Sequence, residues 1–256
     1  MRVAVIGASA GLGAAIAVHH RHRGDTVIAV ARRHDRLDQL AHATDHPHAE
    51  TEEHRQGPTP EAQRRRPPRP ADRASPTTHP RPDQWQSIHA DITTTEGRHR
   101  TVEAIRDAHR IYYVAGVAAD PAATFATNVI APARLAEATD RADLQLVLVS
   151  SLAAVVAFPE LGTYCASKAA LEQWAACHQV TSRADVLVIR PGQFPSEFHT
   201  GPQPFDMAAL PHERGETVAR LADRKRRGLH TLGGRRDQAA ALSSRLIGPN
   251  LARKLL

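Results

Sequence analysis

The chain has 256 residues, 41% of them hydrophobic, which suits one α/β domain with a core of its own. Its 33 basic and 27 acidic residues leave a charge of +6, but residues 212–256 alone carry 11 Arg/Lys against 4 Asp/Glu, so the excess is local and a solvated basic face is expected rather than a nucleic-acid surface. The longest apolar run, 144–158, is broken by Gln145, Ser150 and Ser151 and is too short to cross a bilayer, strand-like residues from Met1 argue against a signal peptide, and two cysteines fit a reducing cytoplasm.

Residues 2–6 (RVAVI) read as a fully buried strand. Gly7-Ala-Ser-Ala-Gly11-Leu-Gly13 follows, then a helical pattern with Leu12, Ala15, Ile16 and His19 on one face, stopping at Gly24. In a strand–turn–helix context, small residues let the backbone approach a pyrophosphate and the helix N-terminus stabilises its charge. Gly7, Ser9, Ala10, Gly11, Leu12 and Gly13 are the candidates for that contact. The spacing is Gly-x-x-x-Gly-x-Gly, not Gly-x-Gly-x-x-Gly, and an ordinary tight turn is the alternative. Residues 26–31 (TVIAVA) form a second strand. An NAD-binding fold places an acid at its end, to hold the ribose 2′-hydroxyl. Here Ala31, Arg32 and Arg33 stand there; two guanidinium groups suit a 2′-phosphate, which points to NADP, with a pair of surface arginines as the alternative.

A helix starts at residues 36–41, and its pattern fails from 44 to 87. Those residues hold nine of the 18 prolines and no Val, Leu, Ile, Met or Phe, so they are expected to form a disordered Pro/Arg-rich insertion. Residues 64–73 are locally +4 but lack an aromatic stacking platform for nucleic acid. A short strand at 85–90 leads to Asp91 and Ile92. An amphipathic helix at 94–109 and a strand at 111–114 lead to Ala115 and Gly116. A helix over 121–139 carries Asn128. The strand at 145–150 delivers Ser151, and a helix from Tyr164 runs to about 182. The strand at 185–190 closes on Pro191-Gly192. An apolar loop to about 211 (Phe194, Phe198, Phe205, Met207), a basic helix to 227, a strand near 229–232 and two short helical pieces complete the chain. This alternation predicts a doubly wound parallel sheet, Rossmann-like, as one domain over 1–256, with ligands beyond the strands' carboxyl ends.

Tyr164 and Lys168 stand four apart, on one face of their helix. An ammonium beside a phenol favours the phenolate, which would bring the tyrosine toward neutral pH as a general acid or base. The sixteen histidines show no zinc-type spacing, and no metal is expected.

Together these residues resemble the short-chain dehydrogenase/reductase family, in its short single-domain, NADP-preferring branch. Gly7, Gly11 and Gly13 match its glycine turn, Arg32 its basic residue for NADP, and Asp91 its adenine-contacting acid. Asn128, Ser151, Tyr164 and Lys168 match its catalytic tetrad, with Ser151 thirteen residues before the tyrosine. Pro191-Gly192 matches the turn after the sixth strand, and Ser196 replaces a threonine that contacts the nicotinamide amide. The resemblance implies hydride transfer between NADP(H) and a carbonyl or alcohol. Tyr164 would exchange the proton and Ser151 hold the substrate oxygen. Lys168 would lower the tyrosine pKa and hold the nicotinamide ribose, and Asn128 would seat a relay water. It also implies a homodimer or homotetramer. The apolar loops 153–161 and 194–210 point to a hydrophobic substrate. Three departures stand out: Tyr113-Val114-Ala115-Gly116 replaces Asn-Asn-Ala-Gly, the 116–128 segment is short, and the insertion at 44–87 is foreign to the family. A non-catalytic NADP-binding sensor or scaffold is the alternative function. A sugar-nucleotide epimerase or dehydratase would carry Gly-x-x-Gly-x-x-Gly and a larger C-terminal domain, and the sequence shows neither.

Overall fold

The computed structural model describes residues 1–45, 84–192 and 206–247. Seven strands form: β1 (Arg2–Ile6), β2 (Thr26–Ala31), β3 (Trp85–His89), β4 (Arg110–Tyr113), β5 (Gln145–Val149), β6 (Asp185–Arg190) and β7 (Gly228–Thr231), of which β1, β2, β5 and β6 are rich in Val, Ile and Leu. They pair in parallel in the order β3-β2-β1-β4-β5-β6-β7. Successive side chains of a strand point to opposite faces, and both faces are covered. Ala4, Ile6, Ile28, Val30, Ile111, Leu146 and Val186 pack on one side against α3 (Thr95–Ile105), α5 (Ala131–Thr139) and α6 (Gly162–Thr181). Val3, Val5, Val27, Ala29, Tyr112, Val147 and Leu187 pack on the other against α1 (Gly11–His22), α2 (His34–Asp45) and α7 (His212–Arg224). A last helix, α8 (Arg235–Ile247), follows β7.

The structure corrects the sequence reading in two places. The expected insertion at 44–87 is too wide. Thr44 is buried in the last turn of α2, its hydroxyl bonded to the Leu40 and Ala41 carbonyls, and Trp85–Ser87 pair with Val27–Ala29. Polar residues at both edges hid a helix end and the start of an edge strand. The middle of that segment, 46–83, lies outside the described residues, as do residues 193–205 and 248–256. The helix expected over 121–139 divides into α4 (Pro121–Phe125), a π-helical turn (Ala126–Ile130) and α5. Of the two short helical pieces expected after β7, one, α8, falls among the described residues, and residues 248–256 lie outside them.

Candidate active site

The carboxyl ends of β1, β2, β4, β5 and β6 open on a cleft of about 1100 Å³. It is lined by the Gly7–Gly13 turn, Arg32 and Arg33, Asp91 and Ile92, Ala115 and Gly116, Ser151, Tyr164 and Lys168, and Pro191 and Gly192. Every expected site residue among the described ones is on that wall except Asn128, which sits behind it; Ser196 lies outside the described residues.

The glycine turn is shaped for close approach. Gly7 (φ 93°) and Gly11 (φ 51°) take left-handed backbone, which side chains disfavour. A Cβ on Gly13 would stand 2.1 Å from the Gly7 carbonyl oxygen, and one on Gly7 2.6 Å from the Ala115 nitrogen. The residue before α1 is Ala10, which caps no N–H with a side chain, and the first turn holds no acid. Those N–H groups and the helix dipole favour an anion. The chain's own residues therefore fit a dinucleotide pyrophosphate at this turn. At the end of β2, Arg33 Nε donates to Ser9 Oγ at 3.3 Å, folding the guanidinium over the turn. Asp91 accepts from the Thr93 N–H (2.9 Å) and hydroxyl (2.6 Å). Burial would raise its carboxyl, but those two bonds and the charge of Arg32 hold it below the usual range.

The chemistry gathers where α6 meets the end of β5. Lys168 is 3% exposed; its Nζ donates to the Val149 carbonyl at 3.0 Å and lies 5.7 Å from the centre of the Tyr164 ring. Ser151, two residues past the strand and capping the turn that follows, hydrogen-bonds Tyr164. The electrostatics overturn one expectation. Burial pushes the Tyr164 phenol up to about 12, with the Ser151 bond opposing and Cys165 adding. Burial also pushes Lys168 down to about 8, with Glu172 opposing. A fully desolvated ammonium is itself disfavoured, so the lysine does not draw the phenol toward neutral pH. Tyr164 holds its proton at neutral pH, and Lys168 is the group poised to titrate.

Asn128 sits in the π-turn, a helical irregularity frequent at functional sites. It is 0% exposed. Its Oδ1 accepts from the Val117 N–H at 2.9 Å, and its Nδ2 donates to the Val117 carbonyl and to Ser167 Oγ, both at 2.9 Å. The amide clamps the loop after Gly116 to α6. Where the family has a second asparagine, Val114 packs into the core instead. The tie between β4 and the π-turn comes from Tyr113, whose hydroxyl donates to the Thr127 carbonyl at 2.6 Å. Sequence reasoning missed Tyr113 and Ser167, because their partners are remote or backbone atoms. The far end of the cleft is apolar: Val117, Ala118, Leu152, Ala153, Phe158 and Leu161.

A parallel sheet wound on both faces, with a glycine turn at β1 and a Tyr–Lys pair at β5, defines a dinucleotide-binding Rossmann-type protein. The family model for the NAD-dependent epimerase/dehydratase family matches residues 3–214, and the chain belongs to that family. The glycine spacing and the C-terminal length had argued against it; the match covers the dinucleotide-binding core in spite of both. No curated protein sequence matches significantly. Among solved structures, a short-chain dehydrogenase from Streptomyces avermitilis is similar over 96% of this chain and 92% of its own, at 23% identity and a TM-score of 0.67. A short-chain dehydrogenase from Burkholderia cenocepacia in complex with NADP is similar over 100% and 97%, at 19% identity and 0.69. An alcohol dehydrogenase from Thermococcus sibiricus complexed with 5-hydroxy-NADP is similar over 90% and 95%, at 19% identity and 0.64. The fold is that of the short-chain dehydrogenases. No helix among the described residues is long and apolar enough to cross a membrane, and they hold no cluster of three or more metal-ligating side chains.

Proposed function

We propose that the protein is an NADP(H)-dependent oxidoreductase that interconverts a carbonyl and an alcohol on an apolar substrate. The observation that carries this reading is the convergence of Tyr164, Ser151 and Lys168 on one wall of the cleft, beside the glycine turn. NADP(H), when bound, supplies or accepts the hydride. Tyr164, protonated at neutral pH, donates its proton to the substrate oxygen as charge develops there. Ser151 is within reach of the same oxygen and stabilises that charge. Lys168 keeps a positive charge behind the phenol and a donor toward the cofactor ribose. Asn128 fixes the Val117 loop that walls the substrate end. Arg32 and Arg33 would hold the 2′-phosphate, with Asp91 near the adenine. The apolar lining at Val117–Ala119, Leu152, Phe158 and Leu161 supports a hydrophobic carbonyl compound. A cytoplasmic location and a homodimer or homotetramer go with this reading; sedimentation velocity tests the assembly.

Fluorescence titration should show NADPH binding at least tenfold more tightly than NADH, because charge-assisted bonds to a phosphate contribute about 1.5–3 kcal/mol. Arg32→Ala should erase most of that preference. Equal affinities in the wild type would overturn the NADP assignment. The family match favours a second reading, redox-neutral epimerase or dehydratase chemistry on a bound cofactor. Incubation with NADPH and a carbonyl panel separates the two, since net loss of NADPH absorbance occurs only in the first.

A further inference from the structure

Tyr164, Lys168 and Glu172 follow one another at four-residue spacing along one face of α6. Each has a partner on one of three successive residues at the end of β5. Tyr164 bonds Ser151, Lys168 Nζ donates to the Val149 carbonyl at 3.0 Å, and Ser150 Oγ donates to Glu172 Oε1 at 2.6 Å. The third contact belongs to no part of the chemistry above. Glu172 is held from a second side by Arg190, at the end of β6. Its Nε donates to Oε1 at 2.8 Å and its Nη2 to Oε2 at 2.5 Å. Both side chains are largely buried, 12% and 6% exposed. A buried, forked ion pair is rarely neutral in effect when one partner is removed, because the other is left as an uncompensated charge. Here that uncompensated charge would sit beside Lys168.

We propose that Glu172 is a positioning residue of the site: it pins the ends of β5 and β6 to α6 and holds Lys168 in its charged form, with Arg190 setting how much of its charge Lys168 feels. The groups facing Lys168 bear this out. On its own helix these are Tyr164 and Glu172. From β6 comes Arg190, one step behind Glu172. The loop after β4 and the π-turn present Gly116 and Asn128, which do not titrate: a Cβ on Gly116 would stand 3.4 Å from Nζ and 3.5 Å from Asn128 Oδ1. Among the described residues, Glu172 is thus the one carboxylate acting on Lys168, and its effect opposes burial. The functional part of this proposal rests on the oxidoreductase reading; the electrostatic part does not.

The chain has only three lysines, Lys168, Lys225 and Lys254, so NMR of 13C,15N-lysine-labelled protein resolves each side chain, with Lys225→Arg and Lys254→Arg for assignment. The readout is the titration midpoint of Lys168. Glu172→Gln keeps an acceptor for Ser150 and Arg190 but removes the charge, and should lower the midpoint by about one pH unit. Arg190→Met leaves the glutamate uncompensated, and should move it upward. Opposite shifts are the signature that a merely structural pair would not produce. Unchanged midpoints in both variants, or shifts of the same sign, would overturn the proposal. Where Glu172→Gln melts below room temperature, Arg190→Met and the conservative Glu172→Asp carry the test: the first must shift up, and the second must restore the wild-type midpoint to within a few tenths of a unit. NADPH-dependent turnover of a carbonyl panel is measured on the same samples. Shifted midpoints with no turnover by any protein, the wild type included, would sink the oxidoreductase reading and leave the Glu172 assignment standing.

Discussion

The Tyr164 phenol keeps its proton because burial disfavours its anion more than the Ser151 bond favours it. That suits reduction, in which a neutral phenol gives its proton to a developing alkoxide. Tyr164→Phe removes one oxygen and little volume, so NADPH affinity should hardly change while turnover falls by about 10²–10⁴-fold or more. Full activity in that variant would refute the assignment. The alkaline limb of the rate profile should report Lys168, near 8, rather than the tyrosine. Below that pH the lysine is charged and the site competent; above it the charge and the activity are lost together. Lys168→Arg stays charged at every accessible pH, and its residual activity should lack that limb. The Tyr–Lys–Ser spacing was legible in the sequence because it lies within eighteen residues, Ser151 to Lys168. Glu172 and Arg190 were not, because their meeting depends on β5 and β6 lying side by side. A charged residue closing an apolar strand, as Arg190 does in DVLVIR, was the available hint.

Helix α1 does more than present its N-terminus to a phosphate. Its last turn carries a buried polar cluster at the opposite end of the sheet. His20 Nδ1 lies 2.7 Å from Asp25 Oδ2, and its Nε2 3.1 Å from the Tyr112 hydroxyl; the N-terminal amine lies 2.7 Å from Asp25 Oδ1. Beside it, His19 is pushed down to about 4 by burial, with His20, Arg23 and Arg220 adding and Glu216 opposing. Burial works to raise Asp25, but bonds from His20 and the amine outweigh it and bring the carboxyl to about 2. The signs follow from linkage. A histidine lowered in the fold takes up its proton near 6.5 when unfolded but only near 4 when native, so stability is lost as pH falls through that interval. Asp25 adds stability above about 3.8 that is lost as pH falls toward 2. Melting temperature should therefore decline as pH falls between about 6.5 and 4, and fall again below. His20 and His22 are lowered by burial as well, so His19→Gln should make the first decline shallower and leave the second; an unaltered slope would disprove the assignment. Periodicity located α1 and its stop at Gly24, but said nothing of this cluster, whose partners come from β4 and the chain start.

The topology was legible because each strand is a nearly continuous apolar run buried on both faces, which only a covered parallel sheet tolerates. The two edge strands, β3 and β7, are the exceptions: neither is a continuous apolar run nor fully buried. β3, with exposed Gln86, Ser87 and His89, blurred into the proline-rich segment before it. The structure places the two ends of that segment at one side chain. Arg21, 1% exposed, forms an ion pair with Asp45 at the end of α2, and its guanidinium carbon lies 5.2 Å from the centre of the Trp85 ring at the start of β3. Gln84 adds a bond from its Nε2 to the Gly24 carbonyl at 3.0 Å. Since one guanidinium touches both side chains, a linker of about six residues, reaching roughly 20 Å, suffices to join residue 45 to residue 84. Replacing 46–83 with such a Gly/Ser linker should preserve cooperative melting and NADPH affinity within about twofold, because 46–83 contain no large aliphatic residue to contribute to the core and loop entropy varies only slowly with length. Extending the cut to 44–87 should behave differently. It removes Thr44, Trp85 and three of the five β3 pairs, and leaves Arg21 buried without its anion or its ring. Calorimetry on the two deletions distinguishes the cases. A shorter cut that melts like the longer one would mean that 46–83 contribute to the fold in a way their composition does not reveal.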